Sequence, residues 1–395
     1  MKYPKEYLDE IKTRLKVSTV ISKTVNLKKR GKEFVGLSPF KNEKTPSFTV
    51  NDEKGFYHCF STGEHGNIFD FIMKTQNLKF GETVKMLSNL AGMRPFVFSI
   101  EDKEREEKFK EYISALNEYI NICHHNLTNK PNQLILNYLK KRNLSLDLIK
   151  KFKLGFNYDN KNIYEKLKAN YSKETLVETG LFYFDENKNK FIEKFRNRLI
   201  FPIFNITNNP IGVGGRIIDN KNYLAKYINS PETTFFKKGS NLYNLNNVRS
   251  LSNKVETVYV VEGYMDVIIM TKNGINNVVA NLGTALTDKQ VITLCQFFNH
   301  IVICFDGDKS GRSAALRAAE NSIINLNSEK EISFLFLPEG EDPDTFISKN
   351  NKQFFENYSK ENLYPIHKFI YKSYKENVDN SPSSFATFEK KLRKI

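Results

Sequence analysis

Three short hydrophobic runs in the second half of the chain, 257–261, 301–305 and 332–337, are rich in β-branched and aromatic residues and alternate with helix-patterned stretches. That alternation is the signature of a parallel sheet, whose functional loops gather at the strand carboxyl ends. Each run ends in acid: Glu262 with Asp266, Asp306 with Asp308, and Asp342 with Asp344. A single Asp at such a position serves equally well as a turn residue or a helix N-cap. Carboxylates delivered together to one sheet edge can instead hold divalent cations, and oxygen-only donors favour Mg²⁺ or Mn²⁺. Metals held this way suit phosphoryl or nucleotidyl transfer, where they orient attacking and leaving oxygens and neutralise developing charge.

The 395 residues have room for two or three domains, and a 40% hydrophobic content supports proper cores. Sixty basic against forty-five acidic residues give a formal charge of +15, which implies a polyanionic partner. The amino terminus is charged from its start, and no apolar run approaches the ~20 residues that cross a bilayer. No membrane partner is expected. Four scattered cysteines, Cys59, Cys123, Cys295 and Cys304, form neither a disulfide framework nor a C-x-x-C pair, consistent with a reducing cytoplasm.

Glu262-Gly263-Tyr264-Met265-Asp266, then Asp306-Gly307-Asp308-Lys309-Ser310-Gly311, then Glu341-Asp342-Pro343-Asp344, each after a strand, resemble the Toprim domain of bacterial replicative primases, topoisomerases and some nucleases. Upstream, Arg196-Asn197-Arg198, Gly214-Gly215-Arg216, Lys226 to Glu232 and Phe236 to Gly239 are similar to the basic motifs of DnaG-type primases, which topoisomerases and nucleases lack. Nine basic against three acidic residues lie between Phe191 and Ser250. The resemblance implies that Glu262 is the catalytic acid or base near a primer 3′-hydroxyl, that Asp306 and Asp308 are the principal metal ligands, and that Asp266, Asp342 and Asp344 complete the acidic site. It also implies that Arg142, Arg196, Arg198, Gly214, Gly215, Arg216, Lys226 and Lys238 bind nucleotide or template, the glycines by letting backbone approach a phosphate.

Residues 31–75 resemble the zinc-ribbon domain with which such primases engage single-stranded template, through Pro39-Phe40, Asn42 to Phe48, Phe56 to Phe60 and His65-Gly66. The family's four zinc ligands fall on Ser38, Lys41, Cys59 and Thr62. One soft donor of four cannot complete a tetrahedral site, so no zinc is expected. A rewired site using His58 and His65 is the alternative, although neighbouring His58 and Cys59 should point to opposite strand faces. In place of metal, Ser38 and Thr62 should hydrogen-bond, the Lys41 stem should fill volume, and Phe34, Phe40, Phe48, Phe56, Tyr57 and Phe60 should bury aromatic area. Lys28, Lys29, Arg30, Lys32 and Lys44 are the candidates for single-strand DNA phosphates.

The expected architecture is α/β and α+β multidomain. A metal-free ribbon-like domain (1–97) and a linker (98–112) precede the basic amino-terminal subdomain of an RNA polymerase core (113–252), a Toprim domain (253–342) and a helical subdomain (343–395). The resemblance implies a DNA primase: a DNA-templated RNA polymerase that joins ribonucleoside triphosphates into RNA primers on single-stranded DNA and releases pyrophosphate. It would act at the replication fork of a bacterial cytoplasm or of an organelle of bacterial ancestry. The family's replicative helicase is an implied partner, but the helicase-binding domain is absent from these residues. The alternatives are a non-catalytic single-strand-binding or helicase-accessory remnant, or a Toprim nuclease or topoisomerase.

Overall fold

The computed structural model describes residues 3–158, 162–218, 224–252, 254–283, 286–305, 309–322, 330–376, 378–379 and 381–393. The chain divides into two compact units, Met1–Glu107 and Lys108–Ile395.

In the first unit, helix α1 (Lys5–Arg14) precedes a sheet of β1 (Lys28–Arg30), β2 (Glu33–Gly36), β3 (Phe48–Asn51), β4 (Phe56–Cys59) and β5 (His65–Gly66), followed by α2 (Ile68–Gln76) and α3 (Phe80–Leu90). The strands pair antiparallel in chain order. The β3–β4 turn is set by Asn51, whose Oδ1 accepts from the Lys54 amide at 2.9 Å, and by Gly55 at φ +71°, a conformation that glycine adopts without strain. Side chains alternate across β4: Tyr57 and Cys59 face the core, Phe56 and His58 the open side. Phe48, Tyr57 and Phe71 are fully buried and stack with half-buried Phe40 at centroid separations of 5.3 to 6.2 Å. Each buried ring contributes on the order of 1.5–3 kcal/mol, which gives this small sheet a core of its own. Phe60, expected in that core, is 71% exposed instead, because it follows Cys59 onto the open face.

In the second unit, residues 138–156 read as one amphipathic segment but form two helices. Helix α5 (Gln133–Lys141) stops at Arg142, Asn143 turns left-handed (φ +49°), and Ser145 caps the helix Leu146–Lys151 by accepting from the Leu148 amide. The expected linker is helical from residue 100, as the start of α4 (Ile100–Asn129), and the boundary between the two units falls within this helix. An antiparallel sheet follows in the order β11 (Tyr227–Asn229), β10 (Pro210–Ile217), β9 (Arg198–Phe204), β6 (Gly155–Asn157), with a hairpin of β7 (Phe182–Asp185) and β8 (Lys190–Glu193) beside it in sequence.

The acid-bearing sheet has the order β13 (Val278–Ala280), β12 (Thr257–Val261), β14 (His300–Phe305), β15 (Glu331–Phe336), β16 (Leu363–Pro365). Its first four strands are parallel; hydrophobic runs foretold β12, β14 and β15, whereas β13 and the antiparallel β16 were not read from the sequence. Both faces are covered. Val261, Ala280, Val302, Cys304 and Leu335 belong to one core with the helix α6 (Tyr264–Lys272), while Val258, Val260, Ile301, Ile303, Ile332 and Phe334 belong to a second. Two buried faces explain why these strands are largely apolar, with Ser333 a buried polar exception. The carboxyl ends of β12 and β13 and the start of helix α7 (Pro343–Lys349) then meet at one cleft.

Candidate active site

A cleft of about 290 Å³ is lined by Glu262 and Asp266 from the β12–α6 turn, Asn281 and Gly283 beyond β13, Asp342 and Asp344 from the start of α7, and Arg142, Arg216, Lys226, Tyr227 and Asn229 from the basic subdomain. Seven residues singled out from sequence therefore converge there. Asp306 and Asp308 lie outside the described residues.

Local structure explains each acid's position. Asp266 Oδ2 accepts from the Gly263 amide at 2.9 Å, capping α6, and Asp342 Oδ1 accepts from the Thr345 amide at 2.7 Å, capping α7 with Pro343 in its first turn. The capping role open to any lone strand-end Asp is thus filled by both, while each residue also lines the cleft. Asp344 is buried, and Arg142 Nη1 donates to its Oδ2 at 2.5 Å. Burial nevertheless holds the Asp344 carboxyl above its ordinary range, against the opposing pull of Arg142 and Arg216. Among the described residues no three carboxylate, imidazole or thiolate groups stand close enough to hold an ion by themselves. The titratable donors that line the cleft are carboxylates, the chemistry that suits Mg²⁺ or Mn²⁺.

The basic wall was only partly legible. Arg216 is buried between the rings of Tyr138 and Tyr227, 5.2 and 5.1 Å from their centroids, and donates to the Tyr227 hydroxyl at 2.6 Å. Arg198 points inward: its Nη1 donates to the carbonyls of Ala225 at 2.9 Å and of Gly215 and Lys226 at 3.4 Å, so its guanidinium holds the β9–β11 backbone and does not face the cleft. The glycines serve packing. A Cβ on Gly214 would lie 2.5 Å from the Tyr264 ring, and one on Gly215 2.6 Å from Phe195. Arg196, whose Nε donates to the Glu193 carbonyl, and Lys238, beside Lys194, do not line the cleft.

Sequence reasoning gave no role to the tyrosines and asparagines that frame the site. Tyr264, within the quoted acidic motif, donates to Asn229 Oδ1 at 2.7 Å, and Asn229 Nδ2 donates to the Leu282 carbonyl at 2.8 Å. This relay ties β11 to the loop after β13.

In the first unit Lys28, Lys29 and Arg30 are exposed on the edge strand β1, Lys44 is exposed, and Lys32 lies 3.8 Å from Glu53. Lys41 is exposed too, so its stem fills no core volume. Buried Cys59 has the Ser38 and Ser61 hydroxyls 3.2 and 3.4 Å from its sulfur. Burial pushes the thiol up, but hydrogen bonds with Ser38, Ser61 and Thr62 together outweigh it and bring it to about 6. His58 lies on the opposite face of β4, its ring 6.0 Å from that of His65.

Three family profiles match within residues 3 to 336: the DNA primase catalytic core, N-terminal domain, over residues 122–249, the CHC2 zinc finger over 3–124, and the Toprim domain over 256–336. A solved DnaG primase catalytic domain bound to ssDNA is 31% identical, with a TM-score of 0.68, over 72% of this chain and 92% of that one. The chain belongs to the DnaG family of bacterial DNA primases. The DNA primase of Escherichia coli K12 is 36% identical over 384 residues, and the match takes in 96% of this chain and 65% of that relative's length. The Aquifex aeolicus primase structure, comprising zinc binding and RNA polymerase domains, matches 97% of this chain and 91% of its own at 29% identity and a TM-score of 0.61. The DnaG family thus accounts for both units. No helix among the described residues is long and apolar enough to cross a membrane.

Proposed function

We propose that this chain is a DNA-templated RNA polymerase that makes short RNA primers on single-stranded DNA. The observation that carries this reading is the meeting, in one cleft, of the Toprim carboxylates Glu262, Asp266, Asp342 and Asp344 with the cations Arg142, Arg216 and Lys226 of the primase-specific subdomain. A Toprim nuclease or topoisomerase has no use for that second wall. Polymerisation does, because a nucleoside triphosphate must be held by cations while its α-phosphate meets a hydroxyl.

Glu262, exposed at the cleft, would take the proton of the attacking 3′-hydroxyl. Arg216, held rigid between two rings, and Lys226 would hold phosphates. Mg²⁺ or Mn²⁺ would be held by the cleft carboxylates together with Asp306 and Asp308, and would neutralise charge developing on the transferred phosphoryl group. Tyr227 and Tyr264 remain neutral donors, since burial pushes both phenols well up. The first unit would deliver template through the exposed Lys28, Lys29 and Arg30, and a replicative helicase is the partner the family implies. Incorporation of labelled ribonucleotides, assayed with and without single-stranded template and Mg²⁺, tests this reading; product independent of template would refute it.

A further inference from the structure

The CHC2 zinc finger profile implies a metal in the first unit, and the residues there do not fit one. The four ligand positions hold two hydroxyls, an exposed lysine and a single thiol, and the sulfur's neighbours at 3.2 and 3.4 Å are hydroxyl oxygens. Structural zinc takes thiolate, imidazole or carboxylate donors, not neutral hydroxyls. Bonded to Ser47, whose hydroxyl lies 4.0 Å from the Cys59 sulfur, is a carboxylate that is no part of the zinc pattern, that of Glu43.

We propose that Glu43 does the work of the zinc: it ties the two turns of the ribbon together through a closed set of hydrogen bonds, so the domain folds and holds template without metal. Glu43 Oε1 accepts from the Ser38 amide at 2.7 Å and the Ser47 amide at 3.1 Å, which pins both ends of the first turn to one oxygen. The Ser47 hydroxyl lies 2.8 and 2.7 Å from the two carboxylate oxygens and 2.8 Å from Ser61 Oγ in the second turn. Ser38 and Ser61 both lie against the Cys59 sulfur, which closes the ring of interactions between the turns.

The protons suffice. A carboxylate only accepts, and each hydroxyl carries one proton: Ser47 gives its proton to Glu43, Ser61 gives its own to Ser47, and the Ser38 hydroxyl and the Cys59 thiol supply the protons of the two contacts at the sulfur. The backbone closes the same gap, with the Phe60 amide donating to the Ser47 carbonyl at 2.9 Å and the Gly63 amide to the Cys59 carbonyl at 2.9 Å. A metal-clipped ribbon draws its folding energy from the ion. Here the clip is part of the chain.

The test uses the full chain. Elemental analysis should find no stoichiometric zinc, and a chelator should leave hydrogen exchange across residues 36–66 unchanged. Glu43→Gln, which puts an amide donor among these donors, should accelerate exchange there by about tenfold or more while the Toprim sheet is unaffected; Ser61→Ala, which removes one link, should do so more weakly and serves if the first variant does not fold. One tight zinc per chain lost on Cys59→Ala, or wild-type exchange rates in both variants, would overturn the proposal. Neither outcome bears on the chemistry assigned to the cleft, whose lining residues all lie in the other unit.

Discussion

Arg142 and Asp344 lie 202 positions apart in the chain and 2.5 Å apart in space, joining the end of α5 to the first turn of α7 at the wall of the cleft. The carboxylate side chain keeps 11% of its surface exposed and the guanidinium 30%. Removing one partner strands the other. Arg142→Ala should destabilise the second unit by about 2–3 kcal/mol, below the ~3–5 kcal/mol of a fully buried pair because the guanidinium is partly solvated. A double-mutant cycle with Asp344→Asn should give a total well short of the sum, and additive losses would mean the pair carries no energy.

Gly214 is a packing glycine. Gly214→Ala would push a methyl group into the Tyr264 ring, from a position 2.5 Å away. The variant should lose about 1–3 kcal/mol by overpacking. Because Tyr264 also orients Asn229, it should show a raised KM for nucleotide. An unchanged melting curve would contradict this packing.

His300 gives the second unit an acid sensitivity. The ring lies at the start of β14, away from the cleft end of the strand, with Nε2 3.0 Å from Ser333 Oγ and Nδ1 3.5 Å from Thr257 Oγ1. Burial lowers its pKa below the ordinary 6.5, against the opposing pull of Glu331. The unfolded chain therefore takes up this proton before the folded one does, so the contribution is fully present above about pH 6.5 and is lost as pH falls below it. Denaturant titrations from pH 8 to 5 should show a steeper loss for the wild type than for His300→Gln. Parallel curves would remove His300 as the cause.

Basic residues should separate into two classes. Neutralising Lys28, Lys29 and Arg30 together should weaken single-strand binding and flatten its dependence on salt by about 0.7 in log–log slope for each phosphate no longer engaged. Arg198→Ala should lower stability instead, because three backbone carbonyls lose their contact with its guanidinium. Equal salt slopes for wild type and the triple variant would move the template off β1.

Three of the four parallel strands and the order of their acids were legible in sequence because two covered faces demand largely apolar runs, and acids follow each run; β13, three residues long, was not read. Pairings that depend on tertiary approach were not. Nothing local to Tyr138-Leu139-Lys140-Lys141-Arg142 announces Asp344, and Arg198 is buried at the start of β9 while exposed Arg196 stands before the strand, with left-handed Asn197 (φ +52°) between them. Gly214 carries the same letter whether or not its backbone must pack against a tyrosine ring, which only the approach of β10 to Tyr264 in α6 reveals. Glu43 had a readable signal: a lone carboxylate between two serines, next to the positions where ligands were missing.

The central claim is chemical, and Glu262→Gln tests it most directly, since it removes the proton acceptor from an exposed turn while keeping shape and fold. With single-stranded template, ribonucleoside triphosphates and Mg²⁺, the wild type should extend RNA and release pyrophosphate, and the folded variant should be slower by about 10²–10⁴-fold with template affinity unchanged. Primer yield within a few-fold of wild type in folded Glu262→Gln would contradict the assignment of this cleft as the catalytic site.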